Sequence, residues 1–97
     1  MTKSERTKRF DALSRYGCCV CRVVHHAYRE AMIHHLTGIK YRGAGKKASD
    51  EHTIPLCHEH HQGAQGIHTI GMRPWEEQFG KQSVYLEMIN EYLEMKS

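Results

Sequence analysis

A small α+β fold with a thin core is what the sequence predicts, on three observations. The chain has 97 residues, 39% hydrophobic and 26% charged, so one domain over residues 1–97 is expected, short of apolar side chains and in need of a staple. Cysteine and histidine recur at knuckle spacing, Cys18-x-x-Cys21 and Cys57-x-x-His60, which points to a metal staple rather than disulfides. Short β-favouring runs at residues 23–36 and 53–56 precede a long stretch of helical apolar spacing after Pro74.

Each element follows in order. Residues 1–16 are basic, with Phe10, Leu13 and Tyr16 on one side, and form a short helix or a solvated arm. Residues 17–70 hold the knuckles and the core. Gly17 and Cys18 to Cys21 make a tight turn whose backbone amides point at the sulfurs, with Val20, Val23 and Val24 packed around it. Residues 23–36 mix β-branched residues with helix formers, and a strand ending near Leu36 is expected. Residues 37–50 are rich in glycine and lysine and form an exposed loop. That loop lacks the Gly-Lys-Ser/Thr ending of a phosphate-cradling P-loop. Thr53 to Leu56 contains Pro55 and suits a brief edge strand. A helix starts after Cys57 and is weakened by Gly63 and Gly66. Residues 74–96 read as one amphipathic C-terminal helix, with Trp75, Phe79, Tyr85, Met88, Ile89, Tyr92 and Leu93 packing inward and Glu87, Glu91 and Glu94 solvated. Nothing there resembles a cofactor box.

Charge is divided unevenly. Lys and Arg outnumber acids 11 to 3 over residues 1–47, a net +8, and fall to 3 against 8 over residues 48–97, a net −5. A basic half of this kind suits a phosphate backbone, with a solvated arm as the plainer explanation. Lys40, Arg42, Lys46 and Lys47 are the candidate DNA contacts of the loop. No stretch approaches the roughly 20 apolar residues of a membrane span, and with no secretory signal a soluble cytoplasmic protein is expected, as monomer or weak dimer.

The potential ligands separate by type. Three thiolates and one imidazole, Cys18, Cys21, Cys57 and His60, have the spacing of a closed structural Zn²⁺ site, while Cys19-x-Cys21 is too tight to compete. Five further histidines, His34, His35, His52, His61 and His68, remain beside His25, His26 and His58. Imidazoles with open coordination positions suit a catalytic divalent metal. His25-His26 lies too near the first knuckle to face the second half of the pattern, which favours His34-His35. Strand alternation places those two on opposite faces, so they cannot share one role. Asp50 is a candidate to hold a ligand histidine in place.

The order Cys-x-x-Cys, His-His, a polar residue ahead of Pro-Leu-Cys and a later histidine resembles the HNH endonucleases. More closely, IHHLTG, KASDEHTIPLCHEHHQGAQGIHTIG and WEEQFG, within residues 18 to 80, look like the Ref-like, RecA-dependent nucleases of phages and prophages. The resemblance implies a ββα-metal, treble-clef-like core and a DNA endonuclease working with one divalent ion, Mg²⁺, Mn²⁺, Zn²⁺ or Ni²⁺. It implies His35 as general base, His34 and His61 as metal ligands and His68 as a further ligand. His52 falls where that family carries its asparagine, a departure that leaves its role as an aid to His35 open. A RecA filament and phage recombination are the partner and setting it suggests. The rival readings are a zinc-stapled module that binds DNA or protein without cutting, and a metal-storage or sensing protein.

Overall fold

In the computed structural model, which describes residues 1–42 and 48–96, residues 1–16 are no loose arm. Thr2 Oγ1 accepts from the Glu5 N–H at 3.1 Å and the Thr2 N–H donates to Glu5 Oε1 at 2.9 Å, a reciprocal cap that starts helix α1, Lys3–Tyr16. Leu13 and Tyr16 are buried. Arg9 ties α1 to the rest: its Nε and Nη2 donate to Oγ1 and O of Thr53, both at 2.8 Å, and its Nη1 donates to Asn90 Oδ1 at 3.0 Å. The helix stops at Gly17, whose φ is 81° and where a Cβ would sit 2.8 Å from the Arg29 carbonyl oxygen.

The strand expected over residues 23–36 is mostly absent. Cys21–His25 winds into a π-helical turn, and only Met32–His35 is extended, as β1. The first knuckle overrides the β-branched preference of its own residues. Val20 is fully buried there, but Val23 and Val24 are exposed, contrary to the packing expected of them. After β1 come a short helix α2, Ile39–Arg42, and the second strand β2, Thr53–Leu56. The strands pair antiparallel with Met32 opposite Leu56 and His35 opposite Thr53, making a two-stranded sheet in which Pro55 gives up a ladder donor.

The rest is helical: α3 (His58–His61), α4 (Ile67–Ile70), α5 (Met72–Phe79) and α6 (Gln82–Lys96). The single helix expected over residues 74–96 is two helices. They part at Gly80, with φ of 108°, and the Gln82 N–H opening α6 is capped by Glu76 Oε2 at 2.8 Å. Pro74 lies in the first turn of α5, where its missing N–H costs nothing. Trp75, Tyr85 and Ile89 join Leu13, Leu36, Ile54, Leu56 and the four cysteines in one core. The molecule is thus a small α+β structure. Among the described residues no helix is long and apolar enough to cross a membrane.

Candidate metal centres

Cys18 and Cys21 enter the first centre from the turn after α1, Cys57 from the end of β2 and His60 from α3. Their ligand atoms lie within 4.8 Å of one another. His60 Nδ1 is 3.7, 3.5 and 3.2 Å from the sulfurs of Cys18, Cys21 and Cys57, and the last two sulfurs are 3.7 Å apart. A tetrahedral zinc with ordinary bond lengths has sulfur–sulfur edges of about 3.8 Å and sulfur–nitrogen edges of about 3.6 Å. The four groups are therefore spaced for one small cation. All are buried, and burial pushes the Cys18 thiol up and the Cys21 thiol up to about 12. A divalent ion reverses that cost by replacing the protons. The Cys21 N–H donates to Cys18 Sγ at 3.5 Å, as expected of a knuckle. Behind the site Trp75 Nε1 donates to the His60 carbonyl at 3.0 Å and Phe79 meets the His60 ring edge-on. Cys19 is fully buried and stays outside the cluster.

The second cluster gathers His34 from β1, His61 from α3 and His68 from α4, again with ligand atoms within 4.8 Å. Joining His61 to His68 requires a sharp return, and Gly66 makes it possible: a Cβ there would lie 2.5 Å from the backbone of His61. The two Nε2 atoms face each other at 3.0 Å, the separation of two nitrogens about 90° apart on an ion about 2.1 Å away. His61 Nδ1 lies 2.8 Å from Met32 Sδ. His34 Nε2 is 2.9 Å from Gln82 Oε1, while His34 Nδ1 is buried with no hydrogen-bond partner. Burial holds both His34 and His61 down at about 4, so both rings are neutral at pH 7, the form that ligates a metal. His68 is exposed and leaves this centre one open side.

His35 turns to the other face of β1, as strand alternation requires. Its Nε2 meets Asp50 Oδ1 at 2.9 Å, its ring stands edge-on to Phe10, and Asp50 Oδ2 is 3.6 Å from Arg6. Asp50 thus holds His35, not a ligand histidine. The His52 ring does not reach His35. It lies 3.3 Å from Ser49 Oγ and against Tyr41, and it is the His52 carbonyl that accepts the Leu36 N–H, at 3.0 Å. His25 stacks near His60, while His26 and His58 are exposed, and none of the three joins a cluster. Lys40 is exposed beside the Tyr41 ring; the Arg42 side chain, Lys46 and Lys47 lie outside the described residues. Sequence spacing gave no sign of Gln82 or Met32, which touch the imidazoles from distant positions without being ligands.

No curated protein and no solved structure matches the chain. One family model does, over residues 3–95, and that span takes in both Cys/His clusters and every helix that supports them. The chain therefore belongs to the family described as protein of unknown function (DUF968).

Proposed function

We propose that the protein is a metal-dependent DNA endonuclease of the HNH kind, hydrolysing phosphodiester bonds with one divalent ion. The observation that carries this reading is the pairing of two unlike clusters on one short frame: a closed, thiolate-rich set beside three imidazoles with an open side. A closed set suits structure and an open set suits substrate. The order of two antiparallel strands followed by a helix that carries His61 agrees with a ββα-metal core, and the sequence resemblance points the same way.

In this reading His34, His61 and His68 would hold the ion, which would supply a Lewis acid to offset the charge that builds up on the phosphate and on its leaving group. His35 takes the proton of the attacking water. Asp50 accepts from His35 Nε2–H, which leaves Nδ1 as the basic atom and fixes the ring. The scissile phosphate would lie across the end of β1, between the imidazole cluster and the His35 ring. The basic half of the chain supplies backbone affinity insensitive to base sequence. A RecA filament in the cytoplasm of a phage-bearing host belongs to the same proposal and rests on the resemblance alone.

The test is cleavage of single-stranded and supercoiled DNA with Mg²⁺, Mn²⁺ or Ni²⁺, with and without RecA and ATP, in wild type and His35→Ala. Metal-dependent cutting lost in the variant supports the proposal. DNA bound but never cut would make the protein a zinc-stapled binding module, a reading favoured by His52 standing where an asparagine is expected.

A further inference from the structure

Gln82 is the first residue of α6, far in sequence from every candidate ligand, and only 1% exposed. Its side chain closes a two-way clasp on Thr37: the Thr37 N–H donates to Oε1 at 3.0 Å and Nε2 donates to the Thr37 carbonyl at 3.2 Å. Rotating the amide by half a turn would set donor against donor and acceptor against acceptor in a buried place, so the backbone of Thr37 decides which end of Gln82 is oxygen. That oxygen is the atom 2.9 Å from His34 Nε2. An acceptor there requires Nε2 to carry the hydrogen, and a neutral imidazole carries only one. Nδ1 is then a bare lone pair. It is also the one side-chain polar atom among the described residues that is buried with no hydrogen-bond partner, in a ring whose centroid is 5.1 Å from that of His61 and 5.2 Å from that of His68.

We infer that Gln82 is a positioning residue of the second centre, fixing the His34 tautomer so that Nδ1 is the atom offered to a divalent cation. The inference rests on the three-imidazole cluster being a metal site. Metal-bound histidines ordinarily donate their other nitrogen to a carboxylate, a carbonyl or water, which orients the ring and strengthens it as a ligand. Here a side-chain amide does this, and its own orientation is set by the residue three positions beyond His34. A consequence is that α6 belongs to the second centre as well as to the core, through Gln82, whose own N–H is capped by the Glu76 carboxylate of α5.

The test uses the full chain with its structural zinc in place. Long-range proton–nitrogen correlation of the imidazoles reads the His34 tautomer directly, and calorimetric titration with Ni²⁺ reads affinity at the second centre. The expected result is His34 protonated at Nε2, with Gln82→Met losing that preference and binding Ni²⁺ roughly 10- to 100-fold more weakly. Gln82→Glu keeps an acceptor for His34 Nε2–H but sets its second oxygen against the Thr37 carbonyl, so it should keep the His34 tautomer while lowering the stability of the chain. Wild-type His34 protonated at Nδ1, no Ni²⁺ bound at the imidazoles, or a zinc-retaining Gln82→Met that binds Ni²⁺ like wild type would each overturn the inference. The tautomer of the wild type decides the matter even where a variant does not fold. Ni²⁺ bound as expected without DNA cleavage would leave Gln82 in its role and remove only the nuclease reading.

Discussion

His60 and His61 are consecutive residues of α3 that face different centres: His60 Nδ1 lies 3.2 Å from Cys57 Sγ, and His61 Nε2 lies 3.0 Å from His68 Nε2. One short helical turn therefore sets both, so an ion held by the cysteines would also fix the ring that an ion at the imidazoles would need. Removing zinc should abolish Ni²⁺ or Mn²⁺ binding at the imidazoles, while removing an imidazole should leave zinc in place. A Cys21→Ala chain should lose its bound zinc and its folded circular-dichroism spectrum, because structural zinc contributes on the order of 10 kcal/mol or more to such folds. His61→Ala should retain one zinc per chain. Zinc analysis of both variants checks the direction of this dependence.

Gly66 is the residue on which the path from His61 to His68 turns. A methyl group there would meet His61 backbone at 2.5 Å, and backbone cannot rotate aside as a side chain can. Gly66→Ala should cost about 2 kcal/mol of stability and weaken the second metal by tenfold or more, with zinc retained. A denaturant midpoint and a Ni²⁺ titration measure the two effects separately.

His35 and Asp50 form a pair that the nuclease proposal uses and the zinc staple does not. His35→Ala should lower cleavage by ~10²–10⁴-fold with both metals bound. Asp50→Asn should give a smaller loss, since the ring survives while its tautomer is no longer held. Arg6→Ala, which removes only a 3.6 Å neighbour of Asp50, should change the rate little. If His35→Ala cuts DNA as fast as wild type, His35 is not the base.

Much of the first centre was legible because its chemistry is local: Cys18-x-x-Cys21 and Cys57-x-x-His60 are each one turn of chain, and spacing alone brings the ligands near. The second centre was partly legible. His34, His61 and His68 come together, helped by the two glycines expected to bend the chain between the last two. What touches them was hidden, because Gln82 and Met32 reach the rings across the fold and leave no period in the sequence. Val23 and Val24 misled for a related reason: β-branched residues favour strands, but the knuckle winds them into a turn. Gly80 divides α5 from α6 with a positive φ, while the apolar spacing that predicts one helix runs on unbroken to either side.

The buried imidazoles make stability depend on pH with a definite sign. In the folded chain burial holds His34 near 4, against 6.5 for an ordinary imidazole, so the unfolded chain takes up its proton first as the pH falls. The stabilisation is fully present above about pH 6.5 and is lost as the pH falls toward 4. Between pH 7 and 5.5, His34 alone should remove about 1 kcal/mol, and His61, shifted the same way, should add to it. Urea midpoints of the zinc-loaded protein with no second metal should fall across that interval, and His34→Asn should flatten the fall.

Among the described residues, the arginine and lysine side chains of the basic half divide into those packed into the fold and those that stand in solvent. Arg9 donates three hydrogen bonds to Thr53 and Asn90, and burial is the main cause that lowers its pKa. Arg22 donates to the Tyr16 carbonyl and lies over the Tyr16 ring at 4.0 Å. These two charges are engaged in packing. Lys40 is exposed on α2. Arg9→Ala should therefore cost on the order of 3 kcal/mol of stability with little specific effect on DNA affinity in the protein that remains folded. Lys40→Ala should leave the melting temperature unchanged and reduce the slope of DNA affinity against salt by about one. An unchanged salt slope in Lys40→Ala would take the proposed DNA contact away from α2 and make the exposed side of α1, where Lys3 and Lys8 stand in solvent, the next face to test.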